Sequence, residues 1–307
     1  MKFAMMAAAA VCVTASVGFA QGRLICVDSS RALFEVNMQT GAKTQIGTVS
    51  ANAGTTGGLA YDCVTQTLWV TSTGNDSLYS LDLATGTATL IGFYGSASFV
   101  MHGLEWDSST STLYGVSSHD NGLYVIDTET GGTTLVGTSG LTSFSNLGYN
   151  SDTDVMYSTN SGTDSFYVMD RETGAATLIG SLQGPTNPNG LAYNFHNHTM
   201  YLVDNSTDNL YTINLVTGQA TSVGSMGSGN ILGLAYVPDE PCTGPTCDAD
   251  VNCDGAVNGV DVEIQELAVG GVFDDYCQAD ADFNQDGAVN GGDVEAVELV
   301  VGGAACP

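Results

Sequence analysis

Between Arg23 and Val237 the chain alternates short apolar runs with turns rich in Gly, Asn, Asp and Thr. Leu78-Tyr79-Ser80-Leu81 shows the pattern, with apolar and polar positions exchanging over a few residues. In an extended strand residues i and i+2 share a face, so such runs predict short half-buried strands. The runs at 58–61, 67–71, 78–83 and 87–91 predict four strands in one unit. The same phrase, L-Y-x-[IL]-D-x-x-T-G-x-x-T-x-[IL]-G, then recurs along the chain. The glycine of its T-G turn stands at Gly41, Gly86, Gly131, Gly174 and Gly218, at spacings of 45, 45, 43 and 44 residues. A period in the low forties with four short strands per unit predicts the blades of a β-propeller.

The turn of that phrase begins with Asp82, Asp127 and Asp170, and with Asn37 and Asn214 in the other two units. Either side chain can accept bonds from the backbone two and three residues on, and the following glycine can take positive φ. Asn serves as well as Asp, so these five positions read as turn formers rather than metal ligands. A second phrase marks the strand expected innermost: Gly58-Leu59-Ala60-Tyr61, Gly103-Leu104-Glu105-Trp106, Leu147-Gly148-Tyr149, Gly190-Leu191-Ala192-Tyr193 and Gly233-Leu234-Ala235-Tyr236. The region starts on a second strand (24–27) and ends on a first strand (231–236). The last strand can therefore complete the first blade, which closes a ring of five blades and removes sheet edges.

Residues 238–247, rich in Pro and Gly, read as a linker, and the pattern changes beyond it. Residues 250–261 and 282–293 both read D-x-N-x-D-G-x-V-N-x-x-D. A twelve-residue EF-hand loop presents oxygens from positions 1, 3, 5, 7, 9 and 12 to Ca²⁺ and turns on a glycine at position 6. Here the glycines are Gly255 and Gly287. Apolar periodicity after each loop predicts short helices at 262–269 and 294–301.

This tail, over roughly residues 248–303, resembles a dockerin, the duplicated EF-hand-like module that attaches secreted enzymes to cohesin-bearing scaffolds. The resemblance implies two Ca²⁺ ions. One would be held by Asp250, Asn252, Asp254, the carbonyl of Ala256, Asn258 and Asp261, the other by Asp282, Asn284, Asp286, the carbonyl of Ala288, Asn290 and Asp293. It also implies a cohesin-like or cell-surface scaffold protein as partner. Loop positions 10 and 11 are Gly259-Val260 and Gly291-Gly292, where cohesin-binding dockerins usually carry Ser-Thr or similar contacts, and the usual helix Lys-Arg is absent. The repeated region in turn resembles bacterial secreted propellers whose blades read T-G-x-x-T-x-I-G, a likeness that carries no activity.

Composition adds the setting. Lys2, an apolar stretch from Ala4 to Val17, and Gly18-Phe19-Ala20 before Gln21 read as an export signal, too short and wrongly flanked for a membrane span. The expected organisation is a signal peptide over 1–20, a propeller over 21–237, a linker over 238–247 and the calcium module over 248–307. The mature chain is expected to be secreted, with attachment to the cell surface through the tail. Five Lys and Arg against 33 Asp and Glu give a formal charge of −28, and no Lys or Arg follows Pro238. Such a surface disfavours nucleic acid and anionic membranes and attracts cations. Beyond the export segment stand seven cysteines, five of them from Cys242 to Cys306. Export and a small acidic module point to disulfides there, with one thiol left over and the pairing open.

Candidate chemistry in the propeller centres on Glu105. Ala60, Gly148, Ala192 and Ala235 hold its position in the other blades, His102 precedes it, and His119-Asp120 follows in the next loop but one. A carboxylate and two imidazoles at one channel mouth would suit acid–base chemistry or a metal. The plainer reading, a channel-facing carboxylate with surface histidines, is favoured. His196-Asn197-His198 likewise reads first as a solvated loop. The loops leading into the inner strands carry Phe93, Tyr94, Phe99 and Phe144, which could stack on sugar rings or pack on each other. The function expected is a non-enzymatic binding propeller for a glycan or protein ligand. The alternative is a glycoside hydrolase or polysaccharide lyase, which would need two opposed carboxylates about 5–10 Å apart. A purely structural surface protein is the third reading.

Overall fold

The computed structural model describes residues 22–144, 146–239, 249–254, 256–277, 281–284 and 288–302. The export segment, most of the linker, Gly255, Asp286 and Gly287 lie outside the described residues. The chain divides into two compact units, Met1–Cys242 and Thr243–Pro307.

The first unit is a five-bladed β-propeller of four-stranded antiparallel sheets. Blade 1 joins β20 (Ile231–Val237) to β1 (Arg23–Asp28), β2 (Ala32–Val36) and β3 (Lys43–Thr48). Blade 2 is β4 (Thr56–Asp62), β5 (Thr67–Ser72), β6 (Ser77–Leu81) and β7 (Ala88–Phe93). Blade 3 is β8 (Met101–Asp107), β9 (Thr112–Ser117), β10 (Gly122–Ile126) and β11 (Thr133–Thr138). Blade 4 is β12 (Gly148–Asn150), β13 (Val155–Asn160), β14 (Ser165–Met169) and β15 (Ala176–Ser181). Blade 5 is β16 (Pro188–Asn194), β17 (Thr199–Asp204), β18 (Asn209–Ile213) and β19 (Ala220–Ser225). The closure expected from the offset is present: Leu24 pairs with Tyr236 and Cys26 with Leu234.

Because strand side chains alternate, each sheet offers one apolar face to each neighbour, and the core is five separate layers between blades. The layer between blades 1 and 2 holds Ile25, Leu33, Leu59 and Val70. That between blades 2 and 3 holds Ala60, Trp69, Leu78 and Leu104. The ring-closing layer between blades 5 and 1 holds Tyr201, Leu210, Leu24 and Cys26. Cys26 is the free thiol among the described cysteines, and burial pushes its pKa up to about 12.

The repeated phrase folds the same way each time. Asp82 Oδ1 accepts from the amides of Ala84 and Thr85, and Asn37, Asp127, Asp170 and Asn214 make the equivalent pair of bonds. The next glycine takes φ between 72° and 76° in all five turns. One residue before the closing glycine is bulged in every third–fourth strand pair, as between Leu78 opposite Gly92 and Tyr79 opposite Leu90.

In the second unit, α1 (Gly259–Val269) and α2 (Gly291–Val301) pack together. Both start three residues before the expected positions. Asn258 and Asn290 are N-caps, and each shares a capping box with the acid three residues on, Asp261 or Asp293. That box offsets the poor helix propensity of the glycines at the first turn. Cys253 and Cys277 form a disulfide, and Cys63 in the propeller is disulfide-bonded as well. No helix among the described residues is long and apolar enough to cross a membrane.

Candidate functional site: an aromatic channel mouth

The last residue of each inner-strand phrase is aromatic, and each of the five packs in its own interblade layer with a part turned to the channel. Tyr61, Trp106, Tyr149, Tyr193 and Tyr236 line one cavity of about 80 Å³, together with Glu105, Asp62, Ala192, Ala235 and Phe195. One aromatic comes from each blade, because the five inner strands end at the same level around the channel. Ser108, Ser151 and Val64, from the hairpins that leave those strands, form the outer edge.

The hydroxyls of three tyrosines are committed to loop residues. Tyr149 donates to Asp154 Oδ1 at 2.8 Å and Tyr193 to Asp152 Oδ2 at 2.5 Å. The Tyr236 hydroxyl stands 2.8 Å from His196 Nδ1. Arg171 then locks the edge of blades 3 and 4. It pairs with the buried carboxylate of Asp107 and, at 2.8 Å, with Asp154, while its guanidinium sits 5.4 Å from the Tyr149 ring centre. Asp107 also accepts from the amides of Ser109 and Thr110.

Glu105 enters this cavity from β8, where three other blades have alanine and one has glycine. Its Oε1 accepts from its neighbour's amide, Trp106 N, at 3.0 Å, and its Oε2 from Tyr149 N of the next blade at 3.2 Å. Both amides belong to inner strands. Removal from water pushes the Glu105 carboxyl up from 4.5 to about 8, against those two hydrogen bonds.

The histidines weighed as partners of Glu105 lie elsewhere, in keeping with the plainer reading. His102 is three residues earlier on β8, roughly 10 Å along an extended strand. Its Nδ1 lies 3.4 Å from Ser118 Oγ, and burial lowers its pKa. His119 is exposed. Neither lines the Glu105 cavity. His196 and His198 do not form a pair of ligands either: the first meets Tyr236, the second Asp152 Oδ2 at 2.6 Å. Of the loop aromatics, Tyr94 and Phe144 are fully buried and Phe99 packs on Tyr124, whereas Phe93 is half-exposed. They pack the ring; the aromatic mouth is formed by inner-strand residues.

In the second unit the two loops share one internal frame. Asp261 accepts from Asn252 N and Asn258 N, and Asp293 accepts from Asn284 N and Asn290 N. Asn258 Nδ2 donates to the Ala256 carbonyl at 2.8 Å and Asn290 Nδ2 to the Ala288 carbonyl at 2.7 Å. In the first loop Asp250 and Asn252 accept from Asp254 N, and Asp254 from Ala256 N. Asp261 and Asp293 are fully buried. Asp282 and Asn284 open the second loop, and Asp286 lies outside the described residues. Among the described residues no three His, Cys, Asp or Glu side chains converge on one point. The oxygens of the loops are a mixture of carboxylate, amide and carbonyl.

No family model matches the chain, and no curated protein matches it. Solved structures share the propeller fold at low identity. A chain of the nidogen/laminin complex aligns at 12% identity and TM-score 0.52, over 71% of this chain and 99% of that one. A protein from a study of the de novo evolutionary emergence of a symmetrical protein aligns at 20% and 0.50, over 71% and 99%. A structural genomics protein of unknown function from Bacteroides thetaiotaomicron aligns at 18% and 0.51, over 72% and 59%. These likenesses concern the fold.

Proposed function

We propose that this chain is a secreted, non-enzymatic binding protein. Its propeller takes a compact group of an extracellular ligand at the aromatic mouth, and a Ca²⁺-folded tail serves for attachment. The observation that carries the reading is the convergence of Tyr61, Trp106, Tyr149, Tyr193 and Tyr236 on one cavity. Aromatic rings with their polar tips tied off offer a stiff apolar surface for little ordering entropy. Glu105 supports binding over catalysis, since the next amide of its own strand and one amide of the blade 4 inner strand already hold its two oxygens.

For the tail, the donor set suits a hard cation. Asp250, Asn252, Asp254, the Ala256 carbonyl, Asn258 and Asp261 are all oxygen donors, and the second loop offers the same types at the same spacing. The buried carboxylates of Asp261 and Asp293, each fixed by two amides, support this reading. When bound, Ca²⁺ would neutralise the crowded carboxylates and hold the loops closed. A cohesin-like or surface scaffold protein is the partner proposed for the module.

The test is a screen of the whole chain against polysaccharides and small metabolites, with product release assayed on the same plate. Binding that Trp106→Ala abolishes, without product, is the expected outcome. Binding indifferent to Trp106 would overturn the site. Product release that falls in Glu105→Gln would overturn the non-enzymatic reading in favour of a glycan-active enzyme.

A further inference from the structure

We propose that the group received by the aromatic mouth is a compact organic cation, a quaternary or methylated ammonium such as the head of choline. This rests on the mouth being the binding site. Three observations select the class: the size of the cavity, what its walls present, and the charge around it.

Size comes first. At about 80 Å³ the cavity is near half the ~150 Å³ that accepts benzene in an engineered protein core. It accommodates a group of a few heavy atoms and leaves a pyranose ring outside. A trimethylammonium head has four heavy atoms besides the carbon that carries it.

The walls come second. Tyr149, Tyr193 and Tyr236 are buried in three interblade layers and their hydroxyls are engaged by Asp154, Asp152 and His196, so the part of each that lines the cavity is apolar ring surface rather than a hydroxyl. A hard metal ion needs 6–8 oxygens, and the two carboxylates that line the cavity, Glu105 and Asp62, already accept backbone amides. An alkylammonium needs no such shell. It is held by aromatic faces within about 6 Å, a contact worth roughly 0.5–2 kcal/mol per ring according to desolvation. Arg171 over the Tyr149 ring shows the same attraction operating at this edge.

Charge comes third. Asp62 lines the cavity, and Asp107, Asp152 and Asp154 hold its edge, with Arg171 as the cationic partner of Asp107 and Asp154 and His198 beside Asp152. The surplus is negative, in a chain of formal charge −28. Such a mouth attracts a cation and repels anionic ligands.

The experiment titrates the whole chain with tetramethylammonium, choline and 3,3-dimethylbutan-1-ol, the uncharged carbon analogue of choline. Calorimetry is read beside the fluorescence of Trp106. Choline is expected to bind at least tenfold more tightly than the neutral analogue, and Asp62→Asn and Tyr61→Leu each to weaken it several-fold. Circular dichroism of each variant checks that the propeller is folded. Equal affinity for choline and its carbon analogue would overturn the cation and keep an apolar binding mouth. Saccharide binding at Trp106 without response to any ammonium would do the same. Absence of any ligand effect at Trp106 would remove the site itself.

Discussion

Gly41 and Gly224 stand against each other across the seam where the propeller closes. A Cβ on Gly41 would lie 2.4 Å from the Gly224 carbonyl oxygen, and a Cβ on Gly224 would lie 2.1 Å from the carbonyl oxygen of Thr40. The same meeting of a T-G turn with the glycine closing the preceding blade recurs at Gly131 with Gly92, Gly174 with Gly137 and Gly218 with Gly180. At the blade 1–2 junction, Gly86 meets the carbonyl of Thr48 instead. The two glycines of the repeated phrase are therefore one device, a turn of one blade seated on the bulged outer strand of another. Gly131→Ala should destabilise the propeller by at least ~2 kcal/mol, from left-handed φ and a backbone clash together. Gly132→Ala, one residue on, meets no atom closer than 3.4 Å and is the control. Urea unfolding of the two variants checks the contrast, and equal midpoints would refute the interlock.

Arg171 carries a second prediction. Asp107 is fully buried, and Arg171 is its charged partner. Taking away one member of a buried pair strands the other, which typically costs about 3–5 kcal/mol. Arg171→Ala should fall near the lower end, because Ser109 and Thr110 amides still hold Asp107. The double variant Arg171→Ala with Asp107→Asn should recover part of the loss. A single variant as stable as the wild type in thermal unfolding would contradict the assignment.

Much of this architecture was legible in the sequence. The T-G phrase exposed the period, and a first strand left for the end of the region showed how the ring closes. Asn replacing Asp at positions 37 and 214 identified the Asx turns. What a repeat cannot reveal is depth. Tyr61, Trp106, Tyr149, Tyr193 and Tyr236 stood in the inner-strand phrase, yet only five strands ending at one level turn them into a cavity. Glu105 drew attention by breaking an alanine column, and its linear closeness to His102 is not closeness in space: three residues of strand separate them by roughly 10 Å. Arg171 gave no signal, since its partner Asp107 lies a whole blade earlier in the chain. The helices began earlier than periodicity suggested because Asn258 and Asn290 cap what glycine would otherwise weaken.

Glu105 makes stability depend on pH. Its carboxyl ordinarily ionises near 4.5, and burial in the folded chain raises this to about 8. The folded state thus binds more protons than the unfolded state between these values, so this group's contribution is complete below about pH 4.5 and is lost as pH rises through 8. Asp107 on the same strand and Asp62, Tyr61, Tyr149, Tyr193 and Tyr236 from the other blades face the same region; Asp107 adds to the rise at Glu105, and the groups themselves are present in the Gln variant too. The stability of wild type relative to Glu105→Gln should therefore decline from pH 5 to about pH 8 and level off above it. A difference constant across that range, measured by denaturant unfolding, would exclude a raised pKa.

The tail supplies the last prediction. Empty, its loops gather Asp250, Asp254, Asp261, Asp282, Asp286 and Asp293 with no Lys or Arg after Pro238 to balance them. Metal binding energy would then be folding energy for this unit. The propeller draws on five interblade cores and owes nothing to these loops. Chelator should expose the segment 249–302 to protease and leave the propeller's fragments intact, and added Ca²⁺ should restore protection. Asp261→Ala removes both a ligand at position 12 and the acid of the capping box, so it should weaken Ca²⁺ binding at least tenfold, about 1.4 kcal/mol. Asp261→Asn keeps one oxygen and should fall between. Equal protease resistance with and without chelator would show that the disulfide and the helix packing hold this unit together by themselves, and the calcium reading would then fail.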